Sequence, residues 1–178
     1  MKVLVFGAGV LGSLYAAKLC QAGHEVAILA RGQRAAELRN YGIVLEQATT
    51  SVQTTTTVEV IERLAPEDAY DLVMVLVRND QTASVLPVVG ANHRVTTVLF
   101  MVNSALGLDE WADAVGPERA LFGLAGAGGT RRGQVVRYHV LPAWQQPTTL
   151  GEANGASDTT PGADHRRVES GRLPRSDQ

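Results

Sequence analysis

Short apolar runs alternate with longer amphipathic stretches through most of the chain. Buried β-strands are predicted where short and largely apolar runs occur, at 2–6, 25–30, 72–77, 95–102 and 120–124. Helices are predicted where apolar residues recur every three or four positions, at 10–22, 33–41, 81–89 and 108–115. Glycines that follow the first two helices, Gly23 and Gly42, are typical helix ends. Strands that alternate with helices predict an α/β fold, a doubly wound parallel sheet with helices on both faces.

Three stretches depart from this alternation. Residues 43–60 are rich in threonine and valine, which favours an extended excursion on an exposed edge, although a flexible loop is the alternative. Residues 126–129 are predicted to be a glycine-rich loop, followed by strands at 135–140 and 148–150. Beyond Gly151, Val168 and Leu173 are the remaining large aliphatic residues, so we expect one domain over residues 1–152 and a disordered tail over 153–178.

Composition narrows the possible partners. The net charge of −2 and the aromatic content of 5% argue against nucleic-acid binding. No apolar run is long enough to predict a membrane span. The amino terminus superficially resembles a signal peptide, but a buried strand followed by spaced glycines explains it better, so a cytoplasmic location is expected. Cys20 is predicted to be a small buried core residue, which suits a reducing compartment, and no metal site is indicated.

The most informative motif is the segment Gly7-Ala8-Gly9-Val10-Leu11-Gly12. It stands between the first predicted strand and the first predicted helix, which is the context of a dinucleotide-binding turn and favours a Rossmann-like domain. Gly7 permits the tight turn, Gly9 lets a pyrophosphate approach the backbone, and Gly12 lets the helix pack on the strand. The free N–H groups of the helix then face the phosphates. A purely structural glycine turn is the alternative.

Ligands of doubly wound sheets bind at the carboxyl ends of the strands. We therefore expect one rim to form from segments far apart in the sequence, namely 7–12, Ala30-Arg31, Val77-Arg78, Val102-Asn103 and 125–129.

Arg31 stands where NAD-binding domains usually carry an acidic residue, at the end of the second strand. A carboxylate would repel a 2′-phosphate, whereas a guanidinium can bind it with charge-assisted hydrogen bonds. The sequence thus predicts NADP(H) as the cofactor, with Arg31 as the main phosphate ligand and Arg34 one helical turn further on. The alternative is that both are solvated charges on a surface helix.

These residues resemble the N-terminal domain of the ketopantoate reductases (2-dehydropantoate 2-reductases). The resemblance covers about residues 1–152 and lies in the blocks 7–19, 22–26, 30–32, 71–81, Asn103-Ser104-Ala105-Leu106-Gly107 and Thr149-Leu150-Gly151-Glu152. It implies reduction of a small 2-oxo acid, 2-dehydropantoate, to pantoate with NADPH, in pantothenate biosynthesis. The same resemblance implies cofactor contacts by Gly7, Gly9, Val10, Leu11, Gly12, Arg31, Val77, Arg78, Gln81 and Asn103, with Asn103 also near the substrate.

Two positions depart from the family pattern: Arg78 stands where lysine is commoner, and Ser104-Ala105 replaces a shorter glycine turn. Both leave the identity of the 2-oxo acid open.

A helical C-terminal domain, which carries the family's general-acid lysine, has no counterpart in this sequence. Lys2 and Lys18 are the lysines of the chain, and neither is predicted to reach the site. His139 is interpreted as structural. We therefore expect a truncated reductase that binds NADPH but turns over poorly.

Two other functions stay open. The chain could be a stand-alone NADP(H)-binding module without catalysis of its own, or another dehydrogenase that shares this domain. Loss of the second domain would expose an apolar face, which predicts a homodimer.

Overall fold

The computed structural model describes residues 1–104 and 108–152. Its helices are α1 (Val10–Gln21), α2 (Gly32–Tyr41), α3 (Thr82–Gly90) and α4 (Leu108–Val115). Its strands are β1 (Lys2–Phe6), β2 (Glu25–Leu29), β3 (Ile43–Gln47), β4 (Gln53–Thr56), β5 (Glu59–Ile61), β6 (Tyr70–Val75), β7 (Val95–Phe100), β8 (Ala120–Leu124), β9 (Ala127–Arg132), β10 (Val135–Val140) and β11 (Thr149–Glu152). A short 3₁₀ turn, Asn79–Gln81, precedes α3.

The main sheet has seven strands in the order β11-β8-β7-β6-β1-β2-β5. Its pairings are parallel except for β11, which runs antiparallel along β8. β1 lies between β2 and β6, so the turn that follows β1 is at the centre of the sheet, where the strand order reverses. In a doubly wound sheet this switch point is where ligands bind.

Both faces of the main sheet are covered, because alternate side chains of its strands point to opposite faces. Leu4 and Phe6 of β1 point to one face and pack with α3 and α4, while Val3 and Val5 point to the other and pack with α1 and α2. The predicted doubly wound arrangement with helices on both faces is confirmed.

A second sheet of four strands, in the order β4-β3-β10-β9, packs against α1. It extends the apolar core on the α1 and α2 side of the main sheet, which we call the second core. The threonine-rich segment supplies its edge strand β4, while β3 is an interior strand with Ile43 and Leu45 buried. Residues 43–60 are thus extended as predicted, but β5 leaves this sheet and adds to the main one.

The prediction of a glycine-rich loop over residues 126–129 is wrong, because residues from Ala127 onward form β9. A side chain at position 129 would lie 2.3 Å from the carbonyl oxygen of Arg137, so the glycine lets β9 and β10 approach closely. Pairing with β10 overrides the low strand propensity of glycine.

Cys20 is half-buried at the edge of the second core rather than fully inside it. Partial burial raises the pKa of its thiol. No helix in the described parts of the chain is long and apolar enough to cross a membrane. The tail expected to be disordered, 153–178, lies outside the described residues.

Candidate nucleotide-binding site

The glycine turn joins β1 to α1 with backbone packed directly on backbone. Gly7 has φ +116°, and a side chain there would lie 2.5 Å from the carbonyl oxygen of Leu76. A Cβ at Gly12 would lie 1.8 Å from the carbonyl oxygen of Gly7. Neither position can hold a side chain without moving the turn, so the chain needs glycine at both.

Gly9 is different, since apart from its neighbours in the chain no atom of the described residues lies within 4 Å of the position that its Cβ would take. It is the N-cap residue of α1, and no side chain caps that end of the helix. The first N–H groups of α1 therefore stay available beside an open glycine, which is the arrangement that binds phosphate in dinucleotide folds.

A cavity of about 570 Å³ opens over this turn. It is lined by the turn, the end of β2, the segment after β6, and the beginning of α3, as the sequence predicted for the carboxyl ends of these strands. Three guanidinium groups lie on its wall, those of Arg31, Arg34 and Arg78, and its lining contains no carboxylate among the described residues. Such a wall favours an anionic ligand.

Arg31 precedes α2 and is held by one contact. Its Nε donates a hydrogen bond to the main-chain carbonyl of Glu62 at 3.2 Å. Among the described residues no group accepts a hydrogen bond from its two terminal nitrogens, so they can bind an oxyanion in the cavity.

All three guanidinium nitrogens of Arg34 donate hydrogen bonds within the protein. Its Nε donates to the carbonyl of Ala8 at 3.1 Å, its Nη2 to Oγ of Ser13 at 2.9 Å, and its Nη1 to Glu37 at 3.2 Å. Burial lowers the pKa of Arg34 while the hydrogen bond to Glu37 raises it. The same hydrogen bond lowers the pKa of Glu37, so the carboxylate is ionised at neutral pH. This guanidinium belongs to the protein's own hydrogen-bond network, unlike that of Arg31.

Arg78 lies at the rim, beyond the end of β6. It is exposed and pairs with the carboxylate of Asp80, which raises the pKa of Arg78 and lowers that of Asp80. The side chain of Gln81 turns back to accept a hydrogen bond from the main-chain N–H of Arg78 at 3.2 Å. The short 3₁₀ turn therefore forms the part of the cavity wall that lies between Val77 and α3.

A second cavity of about 360 Å³ continues from the first, since Leu11, Val77 and Arg78 line both. Asn103, which follows β7, lies on its wall. His139, interpreted from the sequence as structural, is exposed on β10 and lines this cavity too. Its imidazole lies over Gly128, whose Cβ would be 3.1 Å from the ring.

The structure brings the predicted residues together. Those on the walls of the two cavities are Gly7, Gly9, Val10, Leu11, Arg31, Val77, Arg78, Gln81 and Asn103. Gly12 lies beneath the turn instead, where it contacts Gly7. The sequence did not indicate that His139, Ser84 and Gln146 line the cavities. Their positions depend on which strands and loops lie next to one another in the folded chain.

Both lysines of the chain lie away from the two cavities. Neither Lys2 nor Lys18 lines either cavity, and Lys18 instead lies 5.7 Å from the ring of Tyr138. Over residues 1–104 and 108–152 no three His, Cys, Asp or Glu side chains are grouped to hold a metal ion.

Comparisons with known proteins agree with this geometry. The family model described as ketopantoate reductase PanE/ApbA matches residues 3–155. No curated protein sequence is significantly similar to the chain. A 2-dehydropantoate 2-reductase from Geobacter metallireducens GS-15 is 23% identical, with a TM-score of 0.70, and the match covers 85% of this chain and 49% of that one.

Two further solved structures have the same fold. A PanE/ApbA family ketopantoate reductase from Ralstonia eutropha JMP134 is 28% identical, with a TM-score of 0.64, over 78% of this chain and 46% of the other. A D-mandelate dehydrogenase, solved with NADH and anilino(oxo)acetate, is 19% identical, with a TM-score of 0.65, over 80% of this chain and 46% of the other.

The chain spans just under half the length of these solved structures. Its family match, in contrast, covers nearly all of the described residues, including the glycine turn, Arg31 and Asn103. The chain therefore belongs to the ketopantoate reductase PanE/ApbA family.

Proposed function

We propose that this chain supplies the cofactor domain of an NADPH-dependent reductase of a small 2-oxo acid, with 2-dehydropantoate as the first candidate substrate. One observation carries the proposal. A glycine turn at the centre of a parallel sheet opens into a cavity lined by arginines, which continues into a second cavity lined by Asn103. A dinucleotide needs such a pair of sites, an anion-binding one for its phosphates and a neighbouring one for its reactive ring.

The residues of the first cavity fit NADP(H). The N–H groups at the start of α1 would bind the pyrophosphate beside Gly9, and the free nitrogens of Arg31 would bind the 2′-phosphate. Within residues 1–104 and 108–152, no lining residue supplies the carboxylate that prefers an unphosphorylated ribose. Val77 and Gln81 would lie along the adenosine.

The second cavity would hold the nicotinamide and the 2-oxo acid. When bound, NADPH supplies the hydride for the carbonyl carbon. The amide of Asn103 can donate to an oxygen and accept from a hydroxyl, which suits a ribose or an oxo acid. Arg78, at the junction of the two cavities, offers a positive charge to a carboxylate. The D-mandelate dehydrogenase with bound anilino(oxo)acetate supports this class of substrate.

Titration of the chain with NADPH, followed by the fluorescence of the nicotinamide, tests the cofactor assignment. We expect saturable binding that is at least tenfold tighter than binding of NADH, because one charge-assisted contact contributes about 1.5–3 kcal/mol. Equal affinity for the two nucleotides would contradict the role of Arg31. Absence of binding of both would remove the reductase assignment.

An assay with 2-dehydropantoate separates a working reductase from a stand-alone NADP(H)-binding module. The lysines lie outside both cavities, which favours binding with weak turnover and supports the alternative of an NADP(H)-binding module. We expect oxidation of NADPH by the chain alone to stay near the rate without substrate. Rapid turnover would show that a group already in the second cavity, such as His139, delivers the proton.

Self-association is also proposed. Leu124 of β8 and Leu150 of β11 lie on paired strands at the edge of the main sheet and are 47% and 60% exposed, so apolar side chains are open to solvent at this edge. We expect a dimer in size-exclusion chromatography, and a monomer at high concentration would contradict it.

A cytoplasmic location is also proposed, because Cys20 is a free thiol and a reducing compartment keeps thiols in that state.

A further inference from the structure

The side chain of Arg34 links its own helix, α2, to the glycine turn and to the start of α1. Its guanidinium contacts Ala8 in the glycine turn, Ser13 in the first turn of α1, and Glu37 within α2. The side chain is only 13% exposed, so these bonds are largely protected from water. A planar guanidinium offers donors in a fixed fork, and no other side chain can make three such bonds in one plane.

The contact with Ala8 fixes the orientation of a peptide group in the turn. The peptide between Ala8 and Gly9 is trans, as are all the described peptide bonds, so its carbonyl and the N–H of Gly9 point in opposite directions. When Arg34 holds the carbonyl of Ala8, it also sets the direction of the N–H of Gly9. The orientation of an N–H in this turn decides how well it can donate to a phosphate.

Ser13 closes a small ring of hydrogen bonds around the same carbonyl. Its hydroxyl accepts from Arg34 and lies 3.5 Å from the carbonyl oxygen of Ala8, and the residue is fully buried. Its main-chain N–H donates to Gly9 at 3.0 Å. The turn is therefore fixed from both sides, by the helix it starts and by the guanidinium above it.

Glu37 carries the connection on to the second sheet. Its carboxylate accepts from Arg34 at 3.2 Å and from Arg131 of β9 at 2.9 Å, while Gln33 donates to its other oxygen at 3.1 Å. The carboxylate is 18% exposed and lies between two positive charges, so its removal would leave both guanidinium groups without their shared partner.

We propose that Arg34 is a positioning residue for the dinucleotide, which sets the glycine turn through Ala8 and Ser13 and ties it to the second sheet through Glu37 and Arg131. It is not a ligand of the 2′-phosphate, although it lies one turn from Arg31 and lines the same cavity. This inference rests on the proposed nucleotide site. It predicts that Arg34 acts equally on NADPH and NADH, because the pyrophosphate is common to both.

The test compares dissociation constants for NADPH and NADH in matched variants. We expect Arg34→Gln to weaken both by about tenfold and to leave their ratio unchanged. Arg34→Lys keeps the charge but not the fork, so we expect it to lose nearly as much. Ser13→Ala and Glu37→Gln should each weaken both nucleotides by a smaller, equal factor. Arg137→Gln removes an exposed arginine whose contacts stay within the second sheet, and it should change neither constant.

The outcomes separate this inference from the function beneath it. If Arg34→Gln weakens NADPH alone, or if Arg34→Lys restores full NADPH affinity, Arg34 is a phosphate ligand and the inference is wrong while the site stands. If Arg34→Gln changes neither affinity, the positioning role is wrong. If Arg34→Gln does not fold, Ser13→Ala and Glu37→Gln decide between these results. If the unaltered chain binds neither nucleotide, the inference and the proposed function both fail.

Discussion

Gly12→Ala is expected to destabilise the domain by about 3 kcal/mol and to abolish NADPH binding. The new methyl carbon would lie 1.8 Å from the carbonyl oxygen of Gly7, which belongs to rigid backbone rather than to a flexible side chain. The helix α1 would have to move away from β1, and the core formed by Leu14, Ala16 and Ala17 would open with it. Denaturation in urea measures the loss of stability, and NADPH fluorescence measures the loss of binding.

Gly9→Ala provides the matched control, because the two glycines stand in the same turn. Beyond its chain neighbours, no atom in the part of the chain that the structure describes lies within 4 Å of a Cβ at position 9, and the residue already has an ordinary extended backbone with φ −75°. We expect its unfolding free energy to stay within about 1 kcal/mol of the unaltered chain. NADPH binding should still be weakened strongly, since the methyl group occupies the open side of the turn. Equal loss of stability in the two variants would contradict this account of the turn.

Arg31→Gln is expected to weaken NADPH binding by about 10- to 100-fold, the effect of losing one or two charge-assisted hydrogen bonds to a phosphate. The free nitrogens of Arg31 lie in the cavity, and its Nε contact with the carbonyl of Glu62 aims the guanidinium. NADH lacks the 2′-phosphate, so its affinity should change by less than about twofold. Titrations of the two nucleotides at one salt concentration measure the difference.

Salt provides a second readout for the same variant. The contact between Arg31 and the phosphate is exposed to solvent, so the advantage of NADPH over NADH should shrink as the ionic strength rises. Arg31→Gln should remove most of this salt dependence, and Arg137→Gln should keep it. A preference for NADPH that survives in Arg31→Gln would assign the phosphate to another group, of which Arg78 is the next on the cavity wall.

The contrast between Arg31 and Arg34 shows where sequence reasoning stops. Both arginines follow the second strand, and the sequence gives each the same charge and a similar distance from the glycine turn. The structure separates them by their partners. Arg34 is enclosed by Ala8, Ser13 and Glu37, whereas Arg31 has one main-chain contact. Ala8, Ser13 and Glu62 belong to other segments of the chain, and their distances from the two arginines cannot be obtained from spacing along the sequence.

His139 and the strand β9 show the same limit in another way. Glycine has a low strand propensity, so residues 126–129 predict a loop when they are considered alone. Pairing with β10 makes most of them a strand, and the small glycines then let the imidazole of His139 lie over Gly128 on the wall of the second cavity. Both outcomes depend on a neighbouring strand, which local sequence does not contain.

The sequence by itself determined the alternation of strands and helices, the glycine turn after the first strand, and the basic residue at the end of the second. These features follow from local rules, since apolar periodicity, backbone freedom and side-chain charge are properties of adjacent residues. Tertiary structure alone decided that a second sheet covers α1, that Asn103 and His139 share a cavity, and that Arg34 is bound through all its guanidinium nitrogens, whereas among the described residues Arg31 is bound through Nε alone. Those facts depend on contacts between distant segments, which form only when the sheets and helices pack around a common core.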